Sequence, residues 1–280
     1  MIENNLYKSW DSPQFLADFS AYRNDLSIFW KFRQRQIYGN LQYCLEKVVP
    51  YSNIVNEVGV GGGRSYSAFL AVLKKLRIKD CDYRGYDVSS QCIDYLNEYN
   101  GPLFKLSPVV NPLYRECDLL YFFDVLIHAE KPFEFLDDVS KSCRKYLVFQ
   151  TPTRDRGDTE FDVSKSCRRQ NNLWIPYIIW NVDQLVNELK KRGFTKILLI
   201  KSYKNLAGGG ARFLPKEFYE PRIGSSRTVV LAIKDEGMSE ELTLDPDLRD
   251  EVNLIKRIDR VVIPRSVRFL NWAYRKVVSS

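Results

Sequence analysis

The chain has 280 residues, 45% of them hydrophobic and 28% charged, the proportions of a globular protein with a substantial core. It holds no apolar run of about 18 residues that would suggest a membrane span, and one histidine among six scattered cysteines without a C-x-x-C pair argues against a zinc site. The net charge of +7 is concentrated near the end, where Lys256, Arg257, Arg260, Arg265, Arg268, Arg275 and Lys276 face only Asp259; the body is nearly neutral, so specific nucleic-acid binding is not expected.

Residues 1–52 read as a helical cap: Ser12-Pro13 suits a helix start, and Ile37, Leu41, Leu45 and Val48 recur at helical spacing until Pro50 stops them. The opening "MIENNLYKSWDSPQ" has no apolar signal core, so reduced thiols and a cytoplasmic location are expected. From Asn53 strands alternate with helices, the pattern of a parallel sheet covered on both faces. The strands are "NIVNEVG", "YRGYDV", a weak "GPLFKLS", "CDLLYFF", "YLVFQT", "KILLIKS" and "RTVVLAI". The helices between them include "RSYSAFLAVLKKLRI", "SQCIDYLNEY", "EFLDDVSKSCRK" and "NVDQLVNELKKRGF", the last ended by Gly193. The hexapeptide "DVSKSC" occurs at 138–143 and again at 162–167, in contexts too different for a repeat.

The first strand runs into "NEVGVGGGRS". A phosphate-binding loop needs a lysine where Arg64 stands, one residue short of the required spacing. A dinucleotide loop needs a third glycine, again at Arg64. The pattern E-x-G-x-G-x-G is met in full by Glu57, Gly59, Gly61 and Gly63. A carboxylate at the strand end suits a ligand ammonium, and glycines let the backbone approach a ligand where a Cβ would collide; a plain tight turn is the alternative. Asp87, which closes the second strand, can accept both hydroxyls of a ribose or can cap the following helix through Ser89 and Ser90.

This stretch resembles motif I of the class I S-adenosylmethionine-dependent methyltransferases. In "CDLLYFFDVLIHAEKPFEFLDDV", Asp118, Val125, Leu126 and His128 match the fourth-strand motif of the type 11 small-molecule members. "YLVFQTPTRD" is similar to their fifth strand with its Thr-Pro turn, and "QLVNELKKRGF" to their helix ending in Gly-Phe. The resemblance covers about Asn53 to Lys234, within a domain at 53–235. It implies a Rossmann-like seven-stranded sheet with an antiparallel last strand and S-adenosylmethionine as cofactor. Glu57, Gly59, Gly61, Gly63, Asp87, Ser107 and Phe122 would form the cofactor site. Ser107 or Asn111 stands where the family often has an acidic residue near the adenine.

The reaction implied is transfer of a methyl group to a hydroxyl, or a carboxyl, of a small molecule. His128, with an unperturbed pKa near ~6.5, suits the general base; packing or capping at the helix start is its other reading. Asp124 on the same loop could substitute or touch the methionyl end. Residues 151–180 read as an irregular stretch in which Trp174, Tyr177 and Trp180 form a lid over a sugar or other ring, or else pack on the sheet edge. A sugar or glycan precursor of surface-polysaccharide or secondary-metabolite biosynthesis is the expected acceptor. Residues 236–280 read as a basic amphipathic extension that docks on the body or a second copy, or lies on the inner face of a membrane. The rivals are an NAD-dependent oxidoreductase and a non-catalytic binding module of the same fold.

Overall fold

The computed structural model describes residues 28–108, 112–170, 173–202, 212–213 and 225–234. The expected cap at Ser12-Pro13, Asn111 and the whole basic extension lie outside them. Helix α1 (Ile28–Val48) buries Tyr38, Leu41, Leu45 and Val48 along one stripe. It gives way to a single 3-10 turn (Val49–Tyr51) because Pro50 disfavours helical geometry at the residue before it.

Strand β1 (Ile54–Val58) leads through the glycine loop into α2 (Arg64–Leu76). Strand β2 (Asp82–Asp87), α3 (Ser90–Asn100), β3 (Phe104–Leu106) and β4 (Cys117–Phe123) come next. A 3-10 turn (Leu126–His128) precedes α4 (Pro132–Ser142), which opens on a proline whose missing N–H has no helical partner to lose. Then come β5 (Cys143–Arg154), β6 (Cys167–Gln170), β7 (Leu173–Pro176), β8 (Trp180–Asn181) and α5 (Val182–Lys191). The described chain closes with β9 (Lys196–Ser202), β10 (Arg212–Phe213) and β11 (Ser225–Ile233).

The main sheet runs β3-β2-β1-β4-β5-β11-β9, and β11 is antiparallel to both of its neighbours. All seven expected strands are in it, with the last antiparallel. An eighth, β8, pairs with the end of β5. This differs from the irregular stretch expected after Thr151. Strand β5 continues past Pro152 to Arg154, and β6 and β7 then form an antiparallel sheet with β10. The pairing of β4 with β5 ends at Gln150, so Pro152 falls where β5 has lost that neighbour and where a missing N–H is tolerated.

Central strands buried on both faces read as continuous apolar runs, as "CDLLYFF" does. Leu120 and Phe122 point toward α4 and α5, into a core with Leu136, Leu147, Phe149, Trp180 and Leu185. Tyr121 points the other way and stacks near Phe69 of α2. Each such ring or aliphatic group withdrawn from water contributes roughly 1.5–3 kcal/mol. Among the described residues no helix is long and apolar enough to cross a membrane.

Candidate functional site

The parallel strands β1, β2 and β4 end at one edge of the sheet, where the loop from Gly59 to Gly63 lies. Gly59, Gly61 and Gly63 have φ of 71°, 47° and 77°, a region that disfavours residues with a Cβ. A Cβ on Gly59 would collide with Val125 Cγ2, and one on Gly63 would meet Leu96 Cδ2 at 2.7 Å. These two glycines are therefore required by their neighbours in the protein. Four of the loop's donors are satisfied within the protein: the N–H groups of Gly59 and Val60 both reach Tyr86 O, that of Gly63 reaches Val60 O, and that of Gly61 reaches Asp87 Oδ2 at 2.7 Å. A phosphate cradle would aim such groups outward.

Asp87 also accepts from Ser89 N through Oδ1, at 2.9 Å. Ser89 is the residue that caps α3, its Oγ accepting from Cys92 N, so the expected capping role passes from Asp87 to its neighbour. The carboxylate instead joins the end of β2 to the glycine loop. Ser107, at the end of β3, donates its N–H to Asp87 O at 2.9 Å and is buried beside it.

Two residues expected at the cofactor, Glu57 and Phe122, have their side chains inside the protein. Glu57 has no exposed surface; it accepts from Ser65 Oγ, from Tyr83 at 2.6 Å and from Tyr121 at 2.5 Å, all inside the sheet–α2 layer. Burial pushes its pKa above the ordinary carboxylate value, against the lowering effect of those three hydroxyls. It braces the loop from beneath. Phe122 is likewise fully buried and stacks on Phe149 at 4.7 Å between ring centres. Side chains alternate across a strand, and that alternation turns Phe122 into the α4–α5 core.

Asp124, just past β4, has φ of 56°, a conformation rare outside glycine and best tolerated by Asp and Asn. Its Oδ1 accepts from Gln150 Nε2 at 3.0 Å, and its Oδ2 lies 3.9 Å from the Arg227 guanidinium. Asp124 is the main reason that Arg227 holds its proton more firmly than an ordinary arginine, against opposing desolvation, and Tyr177 acts in the same direction. Tyr38 of α1 packs on Phe123 with ring centres 4.4 Å apart, and burial raises its hydroxyl well above the usual range.

His128 is buried, and its Nδ1 meets Pro176 O at 2.7 Å. A carbonyl only accepts, so Nδ1 carries the hydrogen and Nε2 is the basic nitrogen of the neutral ring. The ring also meets Tyr177 edge-on, with centres 6.1 Å apart. Sequence reasoning missed Tyr38, Gln150 and Arg227. Gln150 had a signal, as an amide within the apolar run "YLVFQT". Of the three expected lid aromatics, Trp180 and Tyr177 are buried and Trp174 is half exposed.

No protein-family model matches the chain, and a comparison with curated proteins finds no match. Solved structures do resemble it. The N-terminal domain of EvdMO1, crystallised in the presence of S-adenosylhomocysteine and D-fucose, is 13% identical, with 71% of this chain and 83% of that one covered and a TM-score of 0.51. Magnesium protoporphyrin IX methyltransferase from Synechocystis, with bound S-adenosylmethionine, is 14% identical over 81% of this chain and 94% of that one, at a TM-score of 0.49. Human N-acetylserotonin methyltransferase in complex with S-adenosylmethionine is 12% identical over 82% and 57%, also at 0.49. At such identities the likeness is one of fold. With its strand order and single antiparallel strand, the chain has the class I S-adenosylmethionine-dependent methyltransferase fold.

Proposed function

We propose that the chain is an S-adenosylmethionine-dependent methyltransferase acting on a hydroxyl of a small molecule. The observation that carries this reading is the Asp87 carboxylate bonded to Gly61 N, at the junction of a loop whose Gly59, Val60 and Gly63 N–H groups also bond within the protein. That junction suits a ligand recognised through ribose hydroxyls better than one held by phosphates. An NAD enzyme also uses such a carboxylate for a ribose, so what counts against the NAD-dependent rival is the start of α2 at Arg64, where a dinucleotide loop has its third glycine.

The donor set fits the cofactor. Asp87 would accept the ribose hydroxyls, Ser107 would border the base, the loop at Gly59, Gly61 and Gly63 would pass close to the ligand backbone-first, and Asp124 would offer a carboxylate to the methionyl ammonium. Bound there, the cofactor supplies an electrophilic methyl group on a sulfonium. The chain's part is to align the acceptor and remove its proton. His128 is the base in this reading, its ring held by Pro176 O so that Nε2 is the atom that takes the proton. An aromatic lid over a sugar acceptor now has the support of Trp174 alone, since Tyr177 and Trp180 are committed to the interior.

Titration calorimetry of the full chain with S-adenosylhomocysteine and with NAD is the direct test. The first should bind and the second should not; the reverse would overturn the reading. Turnover of labelled S-adenosylmethionine over a panel of hydroxylated small molecules separates an enzyme from a binding module. His128→Asn should lower kcat by about 10²–10⁴ with little change in affinity for S-adenosylhomocysteine. A fall of less than about threefold would return His128 to a purely structural role, given what general bases usually contribute.

A further inference from the structure

Between the start of α4 and the β6–β7 hairpin lies a groove outside the cofactor residues named above. It encloses about 280 Å³, close to the lower end of small-molecule sites at ~300–1,000 Å³. Its walls include Phe133, Phe161, Trp174, Pro132 and Pro176, five ring-bearing side chains brought from separate segments. Large apolar groups here remain open to solvent: Phe133 and Phe161 are 37% exposed, and Trp174 is 51% exposed. Such groups gathered in one concave place mark a contact surface, whereas scattered ones do not.

The groove is fixed from behind. Phe133 and Phe161 each meet the buried Trp180 edge-on, at 5.6 and 5.4 Å between centres, and meet each other at 5.4 Å. Its polar capacity is small. Glu130 is the only ionisable side chain among the described residues of the lining, neither proline offers an N–H, and Pro176 O already takes the His128 hydrogen. A ring with many hydroxyls would leave most of them facing carbon, and each buried polar group without a partner weakens binding.

We propose that this groove binds an uncharged, apolar planar ring, carried by the methyl acceptor beyond its reacting hydroxyl. Aromatic faces and edges suit such a ring, and the space holds about one. Assignment to the acceptor rests on the methyltransferase reading, and on Ala129 and Pro176, which line the groove and adjoin His128 by sequence and by hydrogen bond. The preference for an apolar ring over a sugar rests on the lining alone.

The experiment is saturation-transfer NMR on the full chain with benzyl alcohol and with methyl glucoside. Benzyl alcohol should bind with a Kd in about the millimolar range, as befits a fragment of its size, and methyl glucoside should not bind. Trp174→Ala should weaken benzyl alcohol by about fivefold or more through loss of one aromatic wall, Trp174→Tyr should retain binding, and Glu130→Gln should leave it unchanged. Trp174→Ala should keep the thermal midpoint and the affinity for S-adenosylhomocysteine. Absence of binding, equal binding by Trp174→Ala, tighter binding of the glucoside, or loss with Glu130→Gln would each overturn the proposal. So would a dimer in sedimentation that Trp174→Ala dissociates, which would assign the patch to a second copy. If the ring binds but S-adenosylhomocysteine does not, the groove stands and the methyltransferase reading falls.

Discussion

The glycine loop after β1 and the excursion between β5 and β8 leave the same edge of the same sheet, yet they are held differently. The loop is fixed by its neighbours: Tyr86 O and Asp87 take its N–H groups, while Val125 and Leu96 occupy the space where two Cβ atoms would go. The excursion combines bonds of its own with a few to the body, among them Ile178 N to Ile127 O and Lys201 to Asp155. Asp162 accepts from Ser164 N, Ser166 Oγ donates to Tyr177 O, Arg154 Nε donates to Arg156 O, and Glu160 bridges to Ile179. A segment clamped by the core tolerates little change and can present one geometry to a shared ligand feature. A segment held partly by its own turns can carry exposed rings, and is where acceptor specificity would reside.

The sharpest way to break this comparison is Gly59→Val. Left-handed strain of about 1–3 kcal/mol adds to overpacking of about 1–3 kcal/mol against a stiff Val125, so urea unfolding should show a loss of several kcal/mol. A loss below about 1 kcal/mol would mean that the loop adapts as freely as a surface excursion.

Next in size is Asp87→Ala. Removal of a charged acceptor is worth roughly 1.5–3 kcal/mol, so the affinity for S-adenosylhomocysteine should fall by about 10- to 100-fold while circular dichroism shows the fold intact. Unchanged affinity would remove Asp87 from the ligand site and leave it as a brace for the loop.

The smallest effect concerns Glu57. Burial raises its folded pKa above the ordinary value of 4.5, so the folded state holds the proton more tightly than the unfolded chain. The stability this contributes is fully present below the unfolded pKa and is lost as the pH rises through the folded pKa. Glu57→Gln cannot lose a proton, so stability of the wild type relative to this variant should decline from pH 4 upward. A difference that stays flat from pH 4 to 8 would show that Glu57 titrates like an exposed carboxyl.

Much of the fold was legible because its signals are local. Apolar runs bounded by turn residues marked all seven strands of the main path, and the E-x-G-x-G-x-G spacing placed the loop at the edge where Asp87 also lies. What a side chain meets was less legible. Glu57 and Phe122 stand at motif positions, but pleat direction and the helix packed on each face decided that both point inward. Tyr38 and Arg227 reach the same rim from elements separated by most of the chain, and no spacing rule connects them.

The two copies of "DVSKSC" divide what sequence determined from what tertiary structure decided. Both end in a buried cysteine that opens a strand, a local property that travels with the residues. The preceding residues part company: 138–142 complete α4 and Val139 is wholly buried, whereas 162–166 form a turn and Val163 is 39% exposed. The first copy continues an amphipathic run that has a sheet to cover; the second comes after the Gly157 turn and lines the open groove. By itself, the sequence determined the strand–helix alternation, the loop and the acidic residue at the end of β2. Only the tertiary structure decided which of Trp174, Tyr177 and Trp180 stayed exposed, because burial depends on partners distant in the chain, and local periodicity carries no record of them.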